Sequence, residues 1–354
     1  MRTSKNSAII GKRVLLTGAA GSIGSALAQA VLASDPRLLI LLDQSERGLY
    51  EIDATLGVFR SSGKHVSILG DIGDQELLIE ICERHQPDVI LHAAALKQVP
   101  LMEKNPVAAV QANALGTNML AKTAATLGVA KLVMVSTDKA ANPRSIMGAS
   151  KRVAELALIR WTTEQSWMRS IRLGNVLGSH GSVIPTFERQ IRLGGPVTVT
   201  HPDASRYFLS MENAVELILA ALAIEGEGKI LIPDLGQPVR IIDLARKLIK
   251  ESGFQPDSDI RIVLIGLRPG DKLSEDLISE RESVEGTNDP RLFAAKSSEI
   301  PPDEFDSRME DLTENANRRD LSLVIESLCK LVPQYQPSES LLRLLSGYSA
   351  AFQA

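Results

Sequence analysis

At 354 residues the chain is longer than one hydrophobic core usually supports, so a large α/β domain with a smaller appended lobe is expected. Its 39 basic and 43 acidic residues leave a formal charge of −4, which argues against a nucleic-acid partner. No apolar run approaches the ~18 residues that span a bilayer, and the opening MRTSKNSAIIGKR lacks a leader-type apolar region. Only Cys82 and Cys329 are present, in no CxxC pair, which points to free thiols and a cytoplasmic setting. The five histidines show no ligand spacing, so no metal is expected.

Apolar runs of strand length alternate with helix-length segments through the first half. RVLLTG (13–18), LLILLD (38–43), HVSILGD (65–71), DVILHAA (88–94) and KLVMVST (131–137) each read as a buried strand. Segments such as SALAQAVLAS and ELLIEICERH between them carry helical periodicity. Strands apolar on both faces belong to a parallel sheet covered by helices. The βαβαβ order then predicts a doubly wound, Rossmann-type parallel sheet with ligands at the carboxyl ends of its strands. The predicted nucleotide-binding unit covers 9–174, with a return segment near 207–226 built on a helix from Met211 to about Ile224. Gly-, Pro- and polar-rich sequence at 175–206 and 227–300 predicts a smaller C-terminal substrate-binding lobe. The chain turns polar and acidic from Ile278 to Pro302. Helical patterns at 320–331 and 339–352 then predict a peripheral helical tail over 301–354.

TGAAGSIG places Gly18, Gly21 and Gly24, with Ser22 and Ile23, between the first strand and the first helix. Glycines there allow a tight turn and let backbone N–H groups approach a pyrophosphate at the helix N-terminus. Asp43 ends the second strand, where a carboxylate binds both ribose hydroxyls and repels a 2′-phosphate; this favours NAD over NADP. Asp71 and Ile72 close the third strand and suit the adenine edge. Ala93, Ala94 and Ala95, after the fourth, leave room for the cofactor backbone.

The GxxGxxG spacing, MGASK at YxxxK spacing and GNVLGSHGSVIP resemble the extended short-chain dehydrogenase/reductases that act on nucleotide sugars. Within that group, HAAALKQVPLMEKNP, STDKAANP, MGASKR, GSVIPTF, VTVTHPDASRYF and GLRPGDKL resemble the UDP-N-acetylglucosamine 4,6-dehydratases of bacterial polysaccharide biosynthesis, over about residues 9–280. Larger relatives carry a membrane-spanning N-terminal region; the resemblance implies a short form without one, and a homo-oligomer. It also implies bound NAD, a UDP-sugar substrate, and loss of water from the sugar after oxidation at C4.

Met147 stands where the wider group holds a catalytic tyrosine, and a thioether neither gives nor takes a proton. The resemblance moves the chemistry ten residues upstream. Thr137 contacts the 4-oxygen, Asp138 protonates the departing 6-hydroxyl, and Lys139 takes the C5 proton. Free aspartic acid titrates near ~3.9 and free lysine near ~10.4. Burial moves each toward its task and an Asp–Lys ion pair moves each away, so a proton shared between the two is expected. Lys151 hydrogen-bonds the nicotinamide ribose and Met147 lines the sugar pocket. Arg206 and Arg268 suit a diphosphate because guanidinium forks match phosphate oxygens. Lys97, Asn175 and Ser182 complete the predicted substrate site.

Two other readings stay open on sequence. A nucleotide-sugar 4-epimerase shares the fold, the cofactor and the first oxidation, but ordinarily keeps the tyrosine at 147. A non-catalytic NAD-binding regulatory protein tolerates Met147 but leaves the acid, the base and the arginines unexplained. Retention or inversion at C5 is not decided by the residues; LLDQSERGLYEID and RLGNVLGS resemble the retaining members.

Overall fold

The computed structural model describes residues 6–57, 63–225, 230–297 and 300–351. Positions 1–5 of the opening segment, 58–62 within the predicted nucleotide-binding unit, 226–229 at the junction of two expected units, 298–299 and 352–354 lie outside the described residues. Nine strands form the main sheet: β1 (Arg13–Thr17), β2 (Leu38–Asp43), β3 (His65–Leu69), β4 (Val89–His92), β5 (Lys131–Thr137), β6 (Trp167–Leu173), β7 (Ile230–Pro233), β8 (Glu282–Gly286) and β9 (Leu292–Ser297). Their order is β8-β9-β7-β6-β5-β4-β1-β2-β3. The seven from β7 to β3 run parallel, and β9 and β8 close one edge antiparallel.

The sequence dictates this burial. Val14, Leu15 and Leu16 of β1 and Leu39 to Leu42 of β2 are fully buried, because helices cover both faces of the sheet. The helices of this half are α1 (Ser22–Ala33), α2 (Glu46–Gly57), α3 (Gln75–His85), α4 (Gly116–Thr126) and α5 (Ile146–Trp161). The chain winds outward from β1 through β2 to β3, then returns to the other side of β1 at β4. The carboxyl ends of β1 and β4, where Thr17 is in register with His92, therefore flank the crevice in which such sheets bind ligands.

The predicted first five strands and the return helix, α7 (Met211–Ala220), are present. Two expectations about the second half need correction. β7, β8 and β9 belong to the main sheet, so the expected lobe over 227–300 gives up these strands. The lobe that remains has its own core. Phe187 and Ile191 of α6 (Val183–Arg192) pack with Val197, Val199, and Ala245 and Ile249 of α8 (Ile241–Glu251).

The tail is not peripheral. Besides α10 (Leu321–Leu331) and α11 (Glu339–Ala351) it contains α9 (Pro302–Arg318), a helix beyond the two patterns expected at 320–331 and 339–352. Phe305, Met309, Leu312 and Ala316 of α9 are buried at helical spacing and share one core with Ile146, Met147 and Val153 of α5. An unusually buried α5 follows: every residue from Ile146 to Leu158 is buried, between the sheet and the tail.

Buried charge fixes α5 laterally. Arg172 of β6 makes forked contacts to Glu155 of α5 and to Glu282 of β8, and Arg152 bridges the same two carboxylates. Burial works to raise the Glu155 carboxyl, but Arg172 and Arg152 hold it down at about 2. Removing one member of such a network strands a buried charge and costs about 3–5 kcal/mol.

Candidate active site

The glycine turn after β1 is shaped by close backbone approach. Gly18 has φ +68°, and a Cβ there would lie 2.4 Å from the Ala94 nitrogen. A Cβ on Gly24 would meet the Gly18 oxygen at 2.0 Å, so this glycine packs α1 against the turn. Above the turn runs a groove of about 1020 Å³, lined by Gly18, Gly21, Asp43, Asp71, Ile72 and Ala93 to Ala95 among others. The groove, the glycine cradle and the acid at the end of β2 fit a dinucleotide. In this structure Asp43 accepts hydrogen bonds from the backbone N–H of Ala20 and of Ser45, each at 2.9 Å, and so also holds the turn.

Three predicted cofactor residues take other places. Ser22 accepts a bond from the His180 N–H at 3.0 Å and ties the turn to the loop after β6. Ile23 faces the neighbouring cleft, and Gly24 serves helix packing. The tail, to which no chemistry was ascribed, contributes Thr313 and Asn317 of α9 to the groove wall. No sequence motif marks them, because only the packing of α9 brings them there.

The groove opens into a second cleft of about 390 Å³, sharing Ala93, Ala95 and Leu96 with it. Thr137, Lys139, Met147, Lys151, Lys97, Asn175, Ser182, Arg206 and Arg268, all predicted site residues, line this one cleft. β5 ends at its floor. Thr137 Oγ1 donates to Asp138 Oδ1 at 2.9 Å, and Lys139 Nζ lies 2.9 Å from the same oxygen. Asp138 is fully buried, and its Oδ2 has no hydrogen-bond partner among the described residues. Asn175 Oδ1 accepts from Lys139 Nζ at 3.5 Å. Burial works against the Lys139 charge, but Asp138 and Glu275 outweigh it and hold the amine above its ordinary value.

Lys151 is buried and donates to the Val135 carbonyl at 2.8 Å; burial lowers its amine to about 8. Met147, 4% exposed, fills the position in front of it and belongs to the core shared with the tail. Partial burial lowers the Lys97 amine. The loop carrying Lys97 is fixed by Asn113, which exchanges two hydrogen bonds with the Leu96 backbone at 2.8 and 2.9 Å. Asn113 sits in a π-helical turn, Val110–Leu115, a distortion common beside functional sites. The Ser182 hydroxyl is buried in the cleft wall with no hydrogen-bond partner among the described residues, as a ligand oxygen would require.

The arginines divide. Arg268 is half exposed and bonded to Asp271, with its fork at the cleft mouth. Arg206 turns its fork inward to the carbonyls of Ser205, Leu273 and Lys272, at 2.7, 3.0 and 2.8 Å. It therefore braces the segment after GLRPGDK and brings Glu275 to the site. Glu275 lies outside every predicted motif; its signal in the sequence is an acid three residues beyond GLRPGDK.

The family model described as polysaccharide biosynthesis protein matches residues 14–297. The chain belongs to this family. It is 41% identical over 313 residues to the capsular polysaccharide biosynthesis protein CapD of Staphylococcus aureus; the match covers 88% of this chain and 52% of CapD, so the chain spans about half the length of that relative. A UDP-glucose 4-epimerase of Rickettsia massiliae is 32% identical over 77% of this chain and 79% of its own. Among solved structures, Pen from Bacillus thuringiensis superposes with a TM-score of 0.73 at 30% identity, over 83% of this chain and 90% of Pen. DesIV of Streptomyces venezuelae, a dTDP-glucose 4,6-dehydratase with NAD bound, gives 0.65 at 25% identity, over 75% and 88%. The Rossmann-type α/β fold is common to them. Among the described residues, no helix is long and apolar enough to cross a membrane.

Proposed function

We propose that the protein is an NAD-dependent nucleotide-sugar 4,6-dehydratase that converts UDP-GlcNAc to its 4-keto-6-deoxy derivative with retention at C5. One observation carries the reading: a hydroxyl, a buried carboxylate and an amine, Thr137, Asp138 and Lys139, meet at the end of β5 beside the dinucleotide groove, while Met147 replaces the usual tyrosine. The glycine turn and Asp43 would hold NAD in the groove, where it would supply the hydride acceptor for sugar C4 and the hydride donor for C6.

The protons are handled by the chain. Thr137 Oγ1 relays the 4-hydroxyl proton to Asp138 along the 2.9 Å contact between them, which arms the acid. The 4-ketone acidifies C5–H, and neutral Lys139 removes that proton. Asp138 delivers its proton to the departing 6-hydroxyl, which leaves as water. Lys139 then returns its proton to C5. Delivery by the amine that removed it puts the proton back on the same face, hence retention. Arg268 and Ser182 serve the diphosphate and sugar, and Lys151 the nicotinamide ribose.

The identity to a UDP-glucose 4-epimerase supports a second reading, in which oxidation at C4 is followed only by return of the hydride to the opposite face. Incubation with UDP-GlcNAc and mass spectrometry of the product separates them. Loss of one water supports the dehydratase, and an isomer of unchanged mass supports the epimerase.

A further inference from the structure

Glu275 lies in irregular chain beyond the GLRPGDK loop, yet its carboxylate is only 2% exposed. Burying a carboxylate is costly unless it is paired, and here three cations surround it. Lys139 Nζ stands 3.5 Å away, Arg206 Nε 3.7 Å and Lys272 Nζ 3.8 Å. None of the three contacts is a hydrogen bond, and Oε2 is without a hydrogen-bond partner among the described residues. The placement is electrostatic, and Arg206 maintains it from the substrate lobe by gripping the carbonyls of Lys272 and Leu273.

Lys139 is thus held between two carboxylates that come from different parts of the fold. Asp138 follows β5 and Glu275 comes from the lobe, and both contact the amine on the floor of one cleft. Among the described residues, Arg206 is the further charge that acts on it, and Lys272 acts through Glu275. We propose that Glu275 is the positioning residue of Lys139: its carboxylate holds the amine against Asp138 and sets the pH at which that amine becomes a base. The catalytic part of this statement rests on the dehydratase reading; the placement and titration of the amine do not.

The consequence is specific. Lys139 must be neutral to accept the C5 proton, and a second carboxylate delays that to higher pH. Replacing Glu275 by glutamine keeps the shape and removes the charge, so Lys139 sheds its proton at lower pH. An opposite charge at this range moves a titration by about 1–3 units.

The test reads the amine itself. Whole protein is labelled briefly with acetic anhydride across a pH series, and acetylation of Lys139, which needs the neutral amine, is followed by peptide mass spectrometry. Glu275→Gln should shift the Lys139 profile at least about one pH unit lower than wild type. Glu275→Asp, with its charge withdrawn by one methylene, should fall between them, and it carries the test alone if the glutamine variant does not fold. In turnover, the rising limb of the pH–rate profile should move down with the labelling profile, leaving KM little changed. Superposed labelling profiles in wild type and both variants would overturn the proposal. A shifted profile alongside a Lys139→Ala variant of undiminished turnover would instead keep Glu275 in place and remove Lys139 as the base.

Discussion

Lys139 Nζ and Asp138 Oδ1 stand 2.9 Å apart at the end of β5, and the aspartate of this pair is fully buried. Adjacent residues seldom form a buried acid–base pair, because successive strand side chains point to opposite faces. Here β5 ends at Thr137, and a single turn of 3-10 helix, Asp138–Ala140, brings the two side chains together, with Lys139 lining the cleft and Asp138 buried against it. Lys139→Ala should still bind substrate and oxidise it at C4, because its task comes later. Reduced-nicotinamide absorbance should build up on mixing while dehydrated product falls by about 10²–10⁴-fold. Asp138→Asn should instead suppress the first oxidation, because it removes the acceptor of the 4-hydroxyl proton. Thr137→Val should suppress the first oxidation, with no such absorbance in a rapid-mixing trace.

Asp43 combines two duties, facing the groove and holding the glycine turn through Ala20 and Ser45. In the proposed reaction the hydride returns in every cycle, so purified protein should retain NAD without added cofactor. Asp43→Ala should lose most of it on washing, as measured by chromatography of the released nucleotide. Equal cofactor content in wild type and variant would remove Asp43 from the ribose role.

Arg268 lines the cleft with its guanidinium bonded to Asp271. A diphosphate contact is made alike in ground and transition states, so Arg268→Ala should raise KM with kcat nearly unchanged. Steady-state kinetics that show a fall in kcat at constant KM would move Arg268 into the chemistry.

His92 predicts an acid-sensitive fold. Its ring lies between Thr17 Oγ1 at 2.7 Å and Thr117 Oγ1 at 2.9 Å, and burial, helped by Lys151, lowers its pKa to about 3. The unfolded chain takes up a proton near pH ~6.5 that the folded ring refuses, so stability falls as pH drops from there toward 3. The slope in this window is about 1.4 kcal/mol per pH unit from this group. His92→Gln should flatten that part of the curve in urea titrations run at successive pH values, whatever its effect at neutral pH.

The first half of the fold was legible because its strands are apolar on both faces and its helices are periodic. The glycine turn, Asp43 and the 137–139 trio follow local motifs; Gly18, Gly21 and Asp43 line the groove and Thr137 and Lys139 the cleft, while Asp138 is fully buried. What escaped depends on tertiary contact. β8 is the exposed edge strand and β9, paired between it and β7, buries Leu292, Ala294 and Ala295 among exposed positions, so both read as loop. α9 is so polar outside Phe305, Met309, Leu312 and Ala316 that its buried stripe was overlooked. Glu275 and the inward turn of Arg206 arise where the lobe folds back on β5, which no local spacing encodes. Ser22 was read as a cofactor contact, whereas a loop distant in sequence claims its hydroxyl.

The central claim is that water is lost from a nucleotide sugar by proton transfers at residues 137–139. Incubating the protein with UDP-GlcNAc in deuterated water, followed by mass spectrometry and proton NMR of the product, addresses it in one measurement. The account predicts loss of one water, a new methyl group at C6, deuterium at C5 delivered from the solvent-exchanged Lys139 ammonium with configuration retained, and no such product from Lys139→Ala. A product of unchanged mass, or full conversion by Lys139→Ala, would contradict it.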